Sequence, residues 1–454
     1  MNPRIFREYD IRGVADRDLP TDVVRDLGRA FGAHLALRGH RRIALGRDCR
    51  LSSDRLHDAL LEGLVETGRD VVDVGVVATP VLYFAVHHLD TDGGAQVTGS
   101  HNPPEDNGFK LLHGKATLYG DDVLSLRGRI ERRDFGKTDG TTETGGTVTS
   151  QDVFDDYVAR CANDVKLARK DLRVVIDAGN GAAGPVALAT IRALGLDPVP
   201  LYCEMDGRFP NHHPDPTVLE NIAELIARVR SEKADVGLAW DGDGDRLGVV
   251  DENGDVIWGD RLLVLYARDL LLTHPGAAVI AEVKCSQVLF DDVAKHGGRP
   301  ILWKTGHSLI KAKMKEEGAL LAGEMSGHLF FADRNPGYDD GVYAALRLLE
   351  ILARTKEPLS RLLSDLPTTF TTPEIRVDCP DDRKWDVVEK VKKAFAHRKV
   401  IDVDGARILF DGGWGLVRAS NTGPVLVLRF EADTPERLTS IRAQVERAVA
   451  EARG

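Results

Sequence analysis

Short apolar runs alternate with amphipathic segments along most of this 454-residue chain, and that alternation restricts the fold more than any other feature. Val23, Val24, Leu27, Phe31 and Leu35 recur at helical spacing, with Thr21 as predicted N-cap and Gly39 as predicted stop. A short strand follows over 42–46. Next comes a helix carrying Leu56, Leu60, Leu61, Leu64 and Val65 behind Ser52 and Ser53, then a strand over 71–74, a helix after Pro80 and a strand over 95–98. Strands and helices alternating at this spacing make βαβ units with a mainly parallel sheet.

The run GKTDGTTETGG (136–146) is poor in apolar side chains and marks a first boundary. A second unit starts at 172–176, turns through DAGNGAAG (177–184) and reaches a strand over 235–240 by way of a helix over 221–230. A third runs from about Asp251, with a helix over 260–272, a strand over 278–283 and a helix over 286–296. PTTFTTP (367–373) is a turn-rich boundary. The tail beyond it carries a helix over 384–395, an antiparallel hairpin across 411–415 and a final amphipathic helix from Pro435. The expected fold is α/β: three similar mixed α/β domains, over 1–145, 146–250 and 251–367, and a smaller C-terminal α+β domain over 368–454.

Lys and Arg number 60 against 71 Asp and Glu, a net charge of −11 that argues against a nucleic-acid partner. It leaves phosphorylated small ligands open. The five cysteines are odd in number and form no CxxC pair, so a disulfide framework or zinc ribbon is not expected and a reducing compartment is. The most apolar run, 71–86, is broken by Asp73 and Pro80 and is too short to span a bilayer. Residues 1–12 carry Arg4, Arg7, Glu8, Asp10 and Arg12 where a signal peptide needs an apolar core. The expectation is a cytoplasmic protein with no membrane partner.

Four polar turns stand out. In TGSHNPP (98–104), followed by NGFK (107–110), Gly99 permits a sharp bend after a strand, and the loop displays Ser100 at a strand's C-terminal end, where ligands of α/β sheets usually bind. It lacks the G-x-S-x-G spacing of a nucleophile elbow. DGDGDR (241–246) sets three carboxylates at alternating positions directly behind an apolar strand. They repel one another unless a cation sits between them, and hard oxygen ligands suit Mg²⁺ or Mn²⁺. An EF-hand loop would need Gly where Arg246 stands, and a haloacid-dehalogenase-type phosphatase loop has no place for Asp245. GEMSGH (323–328) offers Glu324, Ser326 and His328 on one side of an extended segment, a set suited to sugar hydroxyls. RASNTGP (418–424) gathers one cation, two hydroxyls, an amide and free backbone N–H groups, the makings of a phosphate cradle.

Together and in this order, the motifs resemble the α-D-phosphohexomutases, and most closely the bacterial phosphomannomutase/phosphoglucomutase branch. The resemblance runs from YDIRG (9–13) through TGSHNPP, NGFK, DGDGDR, KTGHS (304–308), GEMSGH and RASNTGP. GEMSGH favours this branch over the phosphoglucosamine mutases, whose loop usually has Gln after Glu. The loop 333–338 resembles nothing that can be mapped.

The resemblance implies four domains around a central cleft, each contributing one loop. Ser100 would carry a phosphoryl group and, with Asp241, Asp243 and Asp245, hold one Mg²⁺ per chain. Glu324 and Ser326 would contact sugar hydroxyls, and Arg418, Ser420, Asn421 and Thr422 would hold the non-reacting phosphate. Tyr9, Arg12, His101, Lys110, Arg246, Lys284, His307 and His328 would line the cleft, with His101, Lys110 and His328 as candidate general bases. The implied activity is interconversion of hexose 1- and 6-phosphates, mannose and glucose, through a 1,6-bisphosphate. Glucose or mannose 1,6-bisphosphate would be the activator and the protein a monomer. Phosphoglucosamine mutase and an aspartyl-phosphate phosphatase at Asp241 are the alternatives.

Overall fold

The structure is a computed structural model describing residues 1–136, 145–421 and 423–454. The apolar runs become the strands. In the first unit Arg42–Arg47, Asp70–Val76 and Gly93–Val97 lie parallel, with amphipathic helices Thr21–Ala36 and Ser53–Glu66 packed together. Asp106–His113 then returns antiparallel beside Gly93–Val97, and Ile11–Val14 pairs antiparallel with it, so this sheet is mixed rather than mainly parallel. The helix at Thr21 begins on Thr21 itself, with Pro20 in the cap position and no side-chain cap. Val148–Ser150 joins the first sheet along Asp70–Val76.

The same arrangement recurs. In the second unit Val236–Trp240 runs parallel to Val174–Asp177 and hairpins into Leu247–Asp251, with Val256–Ile257 completing that edge. In the third, Leu321–Gly323 runs parallel to Ala278–Glu282 and hairpins into Leu329–Phe331. The tail sheet has Gly413–Ala419 hairpinned into Val425–Ala432, with helices Lys384–Ala394 and Pro435–Arg453 against it. All four motif loops are therefore hairpin connections. A parallel strand needs a long crossover to reach its neighbour, but an antiparallel return needs only a tight turn. Each unit makes its tight turn at the sheet end that faces the others.

One continuous apolar core runs through the first three units. It includes Val81 and Tyr83 from the first, Trp240 from the second and Leu263 and Leu346 from the third. The helix Gly341–Arg354 is buried from Gly341 through Ala353, with its two buried charges paired, Arg347 to Asp333 and Glu350 to Arg334. The tail has a separate core around Ile408, Leu428, Phe430 and Val445. One of its links to the third unit is the buried Arg407. The guanidinium lies 3.8 Å from the ring centroid of Trp414 and donates to the carbonyls of Val283 (2.6 Å) and Cys285 (2.8 Å). Among the described residues, no helix is long and apolar enough to cross a membrane.

Candidate active site

The four hairpin turns meet around one cleft of about 1170 Å³. Tyr9, Arg12, His101, Lys110, Arg246, Lys284, His307, Glu324, Ser326, His328, Arg418 and Ser420 all line it. Asn421 is half-buried and off this lining, and Thr422 lies outside the described residues.

Ser100 sits behind the cleft wall, almost fully buried, at φ 49°. A non-glycine residue holds that left-handed conformation at a cost of ~1–3 kcal/mol, so the surroundings must impose it. Thr98 Oγ1 accepts from the Ser100 N–H at 2.8 Å. Arg50, buried and without a motif of its own, donates to the carbonyls of Ser100 (2.7 Å), Asn102 (2.6 Å), Pro103 (2.6 Å) and Asp106 (3.0 Å). Five donors in a rigid fork suit arginine to this bracing. The braced hydroxyl donates to Asp241 Oδ2 at 2.8 Å and lies 3.1 Å from His101 Nδ1. Burial, with Arg246, Arg12 and Lys110 nearby, holds His101 well below the ordinary imidazole range, so its ring is neutral.

The acidic loop curls as its glycines allow. Gly244 has φ +79°, and a Cβ on Gly242 would stand 2.4 Å from the Ser100 carbonyl oxygen. The backbone N–H groups of Gly244 and Arg246 both donate to Asp241 Oδ1 at 3.1 Å. Asp241, Asp243 and Asp245 are fully buried, with one oxygen each inside a common 4.8 Å cluster. Lys110 reaches Asp243 at 2.6 Å and also pairs with Asp245, while Thr79 donates to Asp243 at 2.6 Å. Burial and the neighbouring carboxylates push Asp241 and Asp245 up. Against the same burial, Lys110 and Thr79 hold Asp243 down.

One ammonium cannot balance three buried carboxylates. Asp243 Oδ1 and Asp245 Oδ1 have no hydrogen-bond partner among the described residues, although buried acceptors normally have one. Orphaned hard oxygens beside a serine hydroxyl fit a divalent cation.

The third loop is a tight turn rather than an extended segment. Gly327 has φ +93°, and the Glu324 N–H donates to the His328 carbonyl at 2.9 Å. Glu324 accepts from the Gly306 N–H at 2.6 Å and Ser326 Oγ at 3.3 Å, so the KTGHS and GEMSGH segments are joined. Glu282, which no motif marked, underpins both, accepting from the Met325 N–H (3.0 Å) and Thr305 Oγ1 (2.5 Å). Against burial, Glu282 and Glu374 keep Lys284 charged. In the tail, Arg418 Nε donates to Asp404 Oδ2 at 3.0 Å, and its Nη2 has no partner among the described residues. Asp404 also takes the Thr305 N–H at 3.0 Å, tying the tail to the third unit. His212 donates to Asp177 at 2.9 Å and fixes the DAGNGAAG turn.

These features define an enzyme site: a cationic cleft with a conformationally strained serine and a cation-ready carboxylate cluster at its floor. Four family models match the chain. They are Phosphoglucomutase/phosphomannomutase alpha/beta/alpha domain I (3–136), domain II (154–254), domain III (258–370) and the C-terminal domain (374–448). A phosphomannomutase/phosphoglucomutase of Pseudomonas aeruginosa is 48% identical over 440 residues, 96% of this chain and 94% of the relative. A phosphoglucomutase of Neisseria gonorrhoeae is 45% identical over 442 residues, 96% and 95% of the two chains. A crystal structure of a phosphoglucomutase/phosphomannomutase family protein from Burkholderia thailandensis superposes with a TM-score of 0.92 at 46% identity. It covers 100% of this chain and 98% of the other. The chain belongs to the phosphoglucomutase/phosphomannomutase family.

Proposed function

We propose that this protein is a phosphohexomutase that interconverts the 1- and 6-phosphates of mannose and glucose, with Ser100 carrying the transferred phosphoryl group. The observation that carries this reading is the Ser100 hydroxyl, 2.8 Å from Asp241 at the edge of the three-carboxylate cluster and held at positive φ by Arg50. The names of the relatives from Pseudomonas and Neisseria support the reaction and the sugars.

Phosphoryl transfer demands positioning and charge neutralisation more than covalent chemistry. Asp241, Asp243, Asp245 and Ser100 would hold Mg²⁺, which when bound neutralises charge on the phosphoryl oxygens. Arg12, Lys110 and Arg246 line the same end of the cleft and offset the remaining charge. Glu324 and Ser326 accept and donate to sugar hydroxyls, while Arg418 and Ser420 hold the phosphate that does not react. Phospho-Ser100 gives its group to the free hydroxyl of a hexose monophosphate, the bisphosphate turns over in the cleft, and its other phosphate returns to Ser100. Free hexose 1,6-bisphosphate restores any enzyme left dephosphorylated, which makes it the activator. His328, whose Nε2 is aimed at Arg246 rather than at a carboxylate, is the favoured proton acceptor. One chain contains every loop named here, so a monomer is sufficient.

Coupled assays on mannose, glucose and glucosamine 1-phosphates, with the bisphosphate supplied, test the reading. Turnover of the first two should exceed the third by at least tenfold in kcat/KM. Preference for glucosamine 1-phosphate would make the protein a phosphoglucosamine mutase instead.

A further inference from the structure

Away from the cleft, three elements of the first unit bring together two imidazoles and a carboxylate. His34 lies in the last turn of the helix Thr21–Ala36, His113 ends the strand Asp106–His113, and Asp122 lies in the first turn of the helix Asp121–Arg132. His34 Nε2 is 3.4 Å from His113 Nδ1 and 3.9 Å from Asp122 Oδ1, and all three ligand atoms fall within 4.8 Å of one another. None of the three lines the cleft.

The nitrogen–nitrogen spacing fits a long imidazole–imidazole hydrogen bond or a shared metal ion. N–H donors normally sit within about 3.2 Å of their acceptors, so 3.4 Å makes a poor hydrogen bond. Ligand atoms around a tetrahedral zinc with bonds of about 2.0–2.1 Å stand about 3.3 Å apart; the two nitrogens at 3.4 Å nearly match that, and Asp122 Oδ1, 3.9 Å from His34, would have to draw in to complete it. Burial, helped by Arg38, pushes His34 down to about 4, and burial lowers His113 as well. Burial thus favours the neutral form of each ring, which offers a lone pair to a metal. Arg38 donates to Asp122 Oδ1 at 3.1 Å, and that oxygen keeps a second lone pair.

We propose that His34, His113 and Asp122 form a divalent metal site of the zinc class, with water in the fourth position, separate from the carboxylate cluster of the cleft. Imidazole ligands favour zinc over magnesium, and an all-oxygen cluster has the reverse preference, so the two sites differ in the metal they take. A metal here would staple two helices to the strand that carries Lys110.

The test uses the whole protein with the cleft saturated by Mg²⁺ and titrates Co²⁺ as a spectroscopic stand-in for zinc, then Zn²⁺ itself. Wild type should take up one Co²⁺ with the intense visible absorption of a four-coordinate ion, and Zn²⁺ should displace it. His113→Ala and Asp122→Asn, both at partly exposed positions, should weaken uptake at least tenfold without changing mutase turnover. Uptake in either variant equal to wild type, a six-coordinate cobalt spectrum or no uptake in wild type overturns the proposal. Each result is independent of whether Ser100 is phosphorylated.

Discussion

Arg246 donates from Nε to Nε2 of His328 across 3.0 Å. A guanidinium has no lone pair, so this contact is a hydrogen bond only in the neutral ring, which accepts at Nε2 and carries its proton on Nδ1, and it is lost when the ring is charged. Nδ1 lies 3.2 Å from Asp339 Oδ2 and 3.5 Å from Asp245 Oδ1, out of line for a hydrogen bond to either. Asp339 is itself fully buried and paired with Lys311 at 2.8 Å. His328 thus links the GEMSGH loop to the carboxylate cluster, with one nitrogen toward the acids and the other toward the cleft.

Burial works against a charged ring, but Asp245 and Asp339 outweigh it and raise the His328 pKa above its ordinary value. The imidazolium should persist in the metal-free protein above pH ~6.5, the unperturbed midpoint. A raised imidazole pKa stabilises the fold fully below ~pH 6.5, and that contribution fades as pH rises through the folded value. Mg²⁺ beside Asp245, or Asp339→Asn, should move the midpoint down. NMR titration of the ring checks this, and a metal-free midpoint at or below 6.5 contradicts it.

Gly242→Ala should abolish most turnover. Its Cβ would sit 2.4 Å from the Ser100 carbonyl oxygen, which Arg50 holds in place, so the serine and acidic loops must separate. A fall in kcat of at least a hundredfold with a melting temperature within a few degrees of wild type is the expected pattern. Turnover near wild type would show that the two loops do not need this contact.

Arg50→Lys should lower kcat by tenfold or more and leave KM nearly unchanged, because Arg50 does not itself line the cleft and reaches it only through the backbone carbonyls it braces. Lysine keeps the charge but cannot reach four carbonyls at once, and hydrogen bonds to charged groups are worth ~1.5–3 kcal/mol each. Steady-state kinetics separates this from a binding defect, which would appear in KM.

Arg418→Ala should do the opposite and raise KM for hexose 1-phosphates and 6-phosphates alike. Asp404→Asn should give a milder version, since it loosens Arg418 and the Thr305 backbone together. Unequal effects on the two substrates would mean that the tail does not serve both orientations.

The elements were largely legible in the sequence because their signals are local. DGDGDR follows an apolar strand, and its glycines occupy a positive φ and a close approach to Ser100, as carboxylates sharing one site require. The antiparallel return beside Gly93–Val97 was not legible, because Asn107–Lys110 reads as a turn followed by an apolar run, with nothing to give its direction. Arg50, Glu282, Asp339 and Asp404 also escaped. Each is a single residue outside every motif whose partners belong to other elements of the fold, so only the folded chain brings them to the site. The nearest local hint is at Asp339 and Asp340, adjacent acids where the buried helix Gly341–Arg354 begins. Asp340 caps that helix by accepting from the Tyr343 N–H.

The most direct test of the central claim is to incubate the protein with Mg²⁺ and glucose 1,6-bisphosphate and map the phosphorylated residue by mass spectrometry. One phosphoryl group on Ser100, stable to hydroxylamine, discharged by excess glucose 1-phosphate and absent from Ser100→Ala, is the predicted result. A hydroxylamine-labile label on Asp241, or full turnover by Ser100→Ala, would contradict it.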